Sequence, residues 1–193
     1  DLSAGNQPFA TALIHSLNHA GYYPGATQMT LKLMFSRPDG RILGAQAVGF
    51  EGVDKRIDVL ATAIRAGMSV HDLTRLELAY APQFGSAKDP VNMIGFVAEN
   101  ILSGLIQTAS WNEVEGLAGT HHLLDVRTPA EFAAGTIAGA VNIPLNELRT
   151  RLHELPRNPL LIFCESGTRS YIATRILMQN GFDCSNLSGG YAT

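Results

Sequence analysis

A cysteine at the end of an apolar run is the residue in this sequence best placed for chemistry. Leu160-Leu161-Ile162-Phe163 leads into Cys164, and Glu165-Ser166-Gly167-Thr168-Arg169-Ser170 follows. The apolar run has the length of a buried strand, and Tyr171, Ile172, Ile176 and Leu177 then repeat with the period of a helix. The thiol is therefore expected at the carboxyl end of a strand, where a short loop turns into a helix. Backbone N–H groups of the loop and of the first helical turn would point at the sulfur. The helix dipole adds positive potential there, and Arg169 adds a full charge. All three favour thiolate over thiol, so Cys164 is expected to be a nucleophile at neutral pH.

The length of the loop narrows the chemistry. Four residues separate Cys164 from Arg169, a cradle of six. Cysteine-based phosphatases carry a wider ring of N–H groups that holds three phosphate oxygens. A loop one residue shorter suits a single sulfur atom carried as a persulfide, which leaves a phosphatase as the weaker reading. On these residues the segment resembles the active-site loop of the rhodanese (sulfurtransferase) family. The resemblance implies that Cys164 accepts sulfane sulfur and passes it on. It also implies that the N–H groups of Glu165, Ser166, Gly167, Thr168, Arg169 and Ser170 stabilise the persulfide anion. Gly167 lets the loop turn without a Cβ in the way. Arg169 either faces the substrate or ties the loop down by pairing with Asp125, and the bracing role is the favoured one. The hydroxyls of Ser166, Thr168 and Ser170 either assist or face solvent. Cys184 reads as a small core residue, because a resolving role would require it to approach Cys164.

The elements that must position this loop are legible upstream and downstream. Ser110-Trp111-Asn112-Glu113 is a capping box that opens a helix, and Thr128-Pro129-Ala130-Glu131 is a second one with proline at the first helical position. Residues 122–126 and 140–144 read as strands, 145–152 as a helix, 169–180 as a helix stopped by Gly181, and 184–187 as a last strand. Such alternation predicts an α/β domain with a parallel central sheet. The rhodanese resemblance extends over residues 111–193, through Leu124-Asp125-Val126-Arg127, Glu131-Phe132, Gly135, Gly139-Ala140, Asn142-Ile143-Pro144 and Leu187-Ser188-Gly189-Gly190-Tyr191. Thr136 and Ala138 stand where the family usually has His and Pro, positions expected to shape the rim and not the cradle. A further helix is expected beyond Thr193.

The first half carries a different organisation. Residues 1–23 show no clear cap or strand, and His15 and His19, four apart, read as surface or satisfied core histidines in preference to metal ligands, since no third ligand of matching spacing follows. Met29, Leu31, Leu33 and Phe35 alternate with Thr30, Lys32 and Met34, and Arg37-Pro38-Asp39-Gly40 supplies turn chemistry before a return strand over 42–48. A β-hairpin follows from that pattern. Val53, Ile57, Leu60, Ala61 and Ile64 form the stripe of an amphipathic helix, with Asp54, Lys55, Arg56 and Asp58 off it. Ser69 opens a short helix, and Asp89-Pro90 opens a last one whose apolar face is Val91, Ile94, Val97, Ala98, Ile101 and Leu102.

Tyr22-Tyr23-Pro24-Gly25-Ala26, Gly44-Ala45-Gln46-Ala47-Val48-Gly49, Gly52-Val53-Asp54-Lys55-Arg56-Ile57-Asp58 and the run from Tyr80-Ala81-Pro82-Gln83-Phe84-Gly85 to Ser86-Ala87-Lys88-Asp89-Pro90 share one pattern. They resemble the C-terminal dimerisation domain of FAD-dependent pyridine nucleotide-disulfide oxidoreductases, in the coenzyme A-disulfide reductase and NADH oxidase branch. The resemblance implies an α+β domain, an antiparallel sheet with helices, over 1–105, a linker over 106–110 and the rhodanese-like domain over 111–193. It implies a homodimer that delivers Tyr80 close to the flavin-side cysteine of the other subunit, against which stands a packing role for this aromatic. It also places coenzyme A contacts near Lys88 and Arg169.

Composition bounds the remaining readings. The chain has 193 residues, 46% of them hydrophobic, and a formal net charge of −3. That excludes a polybasic nucleic-acid surface or a disordered acidic tail, and no apolar run approaches the length of a bilayer span. Two cysteines make no disulfide framework, so a cytoplasmic, reducing location is expected. No Gly-x-Gly-x-x-Gly follows a strand, so neither FAD nor NAD has a phosphate-binding turn here and the chain itself is expected to bind no cofactor; no metal is expected either. The resemblance then implies the tail of a longer flavoenzyme, with N-terminal domains for FAD and NAD(P)H, and a small thiol or persulfide as substrate. The alternative is a non-catalytic dimerising module whose rhodanese fold serves as a docking surface.

Overall fold

A computed structural model describes residues 8–193, and the chain divides into two compact units, Asp1–Ser103 and Gly104–Thr193. In the first, β1 (Phe9–Leu17), β2 (Gln28–Ser36) and β3 (Ile42–Gly49) form an antiparallel sheet in the order β1-β2-β3. The expected hairpin is β2–β3, closed where Gly40 takes φ 69° and donates its N–H to the Ser36 carbonyl at 2.9 Å. Met29, Leu31, Leu33 and Phe35 line the buried face, each at most 1% exposed. Helices α1 (Val53–Arg65), α2 (Val70–Thr74) and α3 (Pro90–Leu102) complete the unit, α1 packing on β3 and α3 on β1.

Three expectations change in this unit. Residues 9–17 are a strand where none was expected; its core face is built partly from Ala10 and Ala12, too small to give an alternating hydrophobic signal. The seven residues before Pro8 lie outside the described part. The stripe of α1 is also displaced. Leu60 and Ala63 are buried, Ala61 is exposed, and Arg56 is 1% exposed. Arg56 is held by Asp89, Nε to Oδ1 at 3.3 Å and Nη2 to Oδ2 at 2.8 Å. Its remaining N–H groups donate to the carbonyls of Gly52, Asn18 and Phe84. Asp89 also caps α3 through the Val91 N–H at 3.0 Å. A buried guanidinium is tolerated when each of its three nitrogens finds an acceptor and its charge a carboxylate, as here.

The second unit is a parallel sheet. Strands β4 (Thr108–Ala109), β5 (His122–Asp125), β6 (Val141–Asn142), β7 (Leu160–Phe163) and β8 (Cys184–Leu187) lie in the order β4-β8-β7-β5-β6. Central β7 is buried along its whole length, as a parallel strand covered on both faces requires. Helices are α4 (Val114–Leu117), entered through a 3-10 turn at Trp111–Glu113, then α5 (Pro129–Ala134) and α6 (Thr168–Gln179). The expected linker over 106–110 holds β4, which pairs with β8, so backbone pairing claims that short polar stretch. The expected helix over 145–152 is a series of turns followed by a 3-10 turn, Leu152–Glu154. Its N–H groups reach back mostly three residues, as from Leu148 to Leu145 and from Thr150 to Glu147, and the spacing of Leu145 and Leu148 suits that winding as well as an α-helix.

Candidate active site

Cys164 follows the last residue of β7 and is 1% exposed. The chain turns at Gly167, φ 95°, directly into α6. A Cβ there would meet nothing closer than 3.6 Å, so the backbone conformation, and not crowding, calls for glycine. The Gly167 N–H donates to Sγ at 3.2 Å, and the buried Ser170 hydroxyl lies 3.4 Å from Sγ and 3.1 Å from the Gly167 carbonyl. That hydroxyl has one proton for two acceptors, and a negative sulfur would draw it. The first turn of α6 adds N–H groups with no acceptor inside the helix.

The loop is held from behind. Tyr191 N–H donates to the Cys164 carbonyl at 2.8 Å, and Ala192 N–H to the Glu165 carbonyl at 2.9 Å. Both peptides are trans, so the N–H groups of Glu165 and Ser166 point away from that segment. The approach depends on Gly190, where a Cβ would stand 2.5 Å from the Cys164 carbonyl oxygen and 2.7 Å from that of Glu165.

Two arginines flank the loop, each with its own carboxylates. Arg127, 3% exposed, takes Asp125 through Nε at 3.1 Å and Nη2 at 2.8 Å. It also donates to the Gly135 carbonyl at 2.6 Å and to Glu165 at 3.1 Å, with its guanidinium 4.2 Å from the Tyr191 ring centroid. Thr136 donates its hydroxyl to the same Asp125 at 3.0 Å. Arg169 takes Glu131 bidentately at 2.8 and 2.6 Å. Glu131 simultaneously caps α5, accepting from the N–H and hydroxyl of Thr128 at 2.9 and 2.7 Å. Hydrogen bonds from Arg169 first, and then from Thr128, hold the Glu131 carboxyl well below the usual carboxylate range. Arg169 is raised in turn, chiefly by Glu131 and further by the Cys164 sulfur.

The comparisons with known proteins divide at the same place as the fold. Residues 3–90 match the pyridine nucleotide-disulphide oxidoreductase dimerisation domain, and residues 110–193 match the rhodanese-like domain. The chain is such a dimerisation domain followed by a rhodanese-like domain. Coenzyme A disulfide reductase of Staphylococcus haemolyticus is 47% identical over 88 residues, 46% of this chain and 20% of that protein. The crystal structure of reduced Bacillus anthracis CoADR-RHD is 47% identical with a TM-score of 0.96, covering 98% of this chain and 34% of that one. An NAD-dependent persulfide reductase from A. fulgidus is 41% identical with a TM-score of 0.89, over 98% of this chain and 35% of that one. The chain thus spans about a fifth of the curated relative and a third of either structure.

Within the rhodanese-like domain, Cys164, Glu165, Ser166, Gly167, Thr168, Arg169 and Ser170 form one loop and helix start, with Asp125 behind it. Ser166 is half-buried and Thr168 exposed. The expected brace from Asp125 to Arg169 is not what forms. Asp125 stands two residues from Arg127 and accepts its side chain and its N–H, which leaves Arg169 to Glu131. Cys184 stands opposite Leu160, four residues before Cys164, or ~13 Å along a strand. Its buried thiol is pushed up to about 11 by desolvation.

Within the dimerisation domain, Tyr80 is 47% exposed and its hydroxyl meets that of Tyr22 at 2.6 Å, a bond that raises its pKa. Lys88 is exposed, with its ammonium 5.7 Å from the Phe96 ring centroid. His15 Nδ1 meets the Thr30 hydroxyl and His19 Nδ1 the Ala20 carbonyl. Among the described residues no three His, Cys, Asp or Glu side chains are grouped to hold a metal ion. Sequence reasoning assigned no site role to Arg127, Glu131 or Tyr191, and expected Thr136 only to shape the rim, where its hydroxyl instead bonds Asp125 behind the loop. Asp125-x-Arg127 at a strand end was a usable signal, since residues two apart share a face.

Proposed function

We propose that Cys164 carries sulfane sulfur as a persulfide, in a chain that serves as the C-terminal part of a coenzyme A-disulfide or persulfide reductase. The observation that carries this reading is the six-residue cradle Cys164–Arg169, which runs from the end of β7 into the first turn of α6, with the Gly167 N–H on Sγ. In the transfer, the Cys164 thiolate attacks the outer sulfur of a persulfide R–S–S–H. A new S–S bond forms on Cys164, the donor's S–S bond breaks, and R–S⁻ leaves. The loop and helix N–H groups and the Ser170 hydroxyl then stabilise the terminal sulfur as it sheds its proton. Arg127 and Asp125 hold the loop's shape through Glu165.

In the longer enzyme FAD and NAD(P)H supply the reducing electron pair. The described residues offer no glycine-rich strand-to-helix turn to cradle either cofactor, so no step is assigned to them here. The dimerisation domain supports a homodimer in which Tyr80, paired with Tyr22, faces the sulfur chemistry of the other subunit, with Lys88 near coenzyme A. No helix among the described residues is long and apolar enough to cross a membrane. Two free cysteines accord with a reducing cytoplasm.

The test is the intact mass of the reduced protein after exposure to thiosulfate and, separately, to coenzyme A persulfide. Gain of one sulfur, absent in Cys164→Ser, is the expected result. No gain from either donor, with both thiols titrating as free, would move the docking-module reading to the front.

A further inference from the structure

Arg169 is the second residue of α6, next to Ser170, whose hydroxyl lies 3.4 Å from the reacting sulfur, so a full positive charge enters the helix's first turn beside Cys164. Left alone it would draw in anions. It is not left alone: both of its terminal nitrogens are committed to Glu131, and Glu131 is fixed on its other side by the Thr128 cap. The same holds for Arg127, whose donors are spent on Asp125, Gly135 and Glu165. Around the loop, three carboxylates meet two guanidinium groups. The pair Arg169–Glu131 is about one-third exposed on each side, so the cancellation lies where a donor must approach.

Sulfur donors differ in where their charge sits. Thiosulfate carries two negative charges on the small group that contains the transferred sulfur. A persulfide of a carbon-bound thiol carries at most one there, and any further charge lies away from the reacting atoms. Each can be balanced as an attack by the Cys164 thiolate on the outer sulfur, with sulfite leaving in one case and a thiolate in the other. We propose that Glu131 is a specificity residue, which neutralises Arg169 beside Cys164 and so turns the cradle against dianionic donors and toward persulfides of organic thiols. This rests on the persulfide reading above and names the substrate class of that site.

Initial loading rates measured by intact mass on the full chain, with thiosulfate and with the persulfide of β-mercaptoethanol, which carries no charge beyond that of its own S–S–H group, test it. Wild type is expected to load faster from the persulfide. Glu131→Gln keeps an amide able to cap α5 while removing the charge. It should raise the thiosulfate-to-persulfide ratio about fivefold, the size of one partly exposed ion-pair contact, through a lower KM for thiosulfate. Glu131→Asp, which keeps the charge, should stay near the wild-type ratio, and adding Arg169→Gln to Glu131→Gln should return it there. An unchanged ratio in a folded Glu131→Gln protein overturns the inference, as does an equal rise in Glu131→Asp. Equal loading of wild type from both donors overturns it without any variant. Loading of wild type from neither donor defeats the persulfide reading itself, whereas loading from the persulfide with an immovable ratio defeats only the role of Glu131.

Discussion

Arg56 in the dimerisation domain and Arg169 in the rhodanese-like domain each grip one carboxylate with two nitrogens, yet the two pairs do different work. Arg56–Asp89 has side-chain exposures of 1% and 4%, and the arginine spends its other donors on three carbonyls. Arg169–Glu131 is open to solvent on both sides and stands beside a sulfur. Burial makes the first pair a fastening, expensive to break. Exposure makes the second cheap to break, and its value lies in the charge it withholds from an incoming molecule. An ion pair's geometry alone does not tell these apart; its depth does.

The comparison can be broken most forcefully at Asp89. Asp89→Ala strands a buried guanidinium and removes the cap of α3, and should cost about 3–5 kcal/mol. The measurement is the urea midpoint of the dimerisation domain's transition, and a loss under about 1 kcal/mol would remove the distinction. Glu131→Gln sharpens the other side, with an expected stability loss below about 1 kcal/mol. Because the Glu131 carboxyl is depressed below its ordinary value of 4.5, its contribution is present above that value. It is lost only as pH falls through the depressed one. The difference in donor ratio between wild type and Glu131→Gln should therefore stay flat between pH 5 and 8, because titration of the donors is common to both proteins; repeating the loading assay across that range checks it. A change there traceable to Glu131 would mean that the pair is looser than drawn. The smallest effect belongs to Cys184. With its thiol pushed up to about 11, it should remain unalkylated by iodoacetamide at pH 8 in the native protein, as peptide mass mapping would reveal.

Much of this architecture could be read before any coordinates. Phe35 and its alternating neighbours announced β2, the Asp89-Pro90 and Thr128-Pro129 starts announced α3 and α5, and the apolar run into Cys164 announced β7 and its loop. Local signals did that work, because caps and periodicities involve residues a few positions apart. What escaped was nonlocal or faint. Ala10 and Ala12 are core residues whose size gives no signal. Arg56 looked like a solvated charge because its partner lies 33 residues away. Glu131 was legible as a cap, and its separation of 38 positions from Arg169 hid its second bond. Asp125 was assigned the wrong arginine for the opposite reason, since the nearer one was overlooked.

The contact of Gly190 and Tyr191 with the back of the loop bears on the order in which the site is assembled. A ribosome releases the thiol 27 residues before Tyr191, whose N–H holds the Cys164 carbonyl. Until that later segment has emerged and docked, the cysteine has its strand but not its finished cradle. The nascent chain thus completes its reactive centre only after β4 to β8 have all been synthesised.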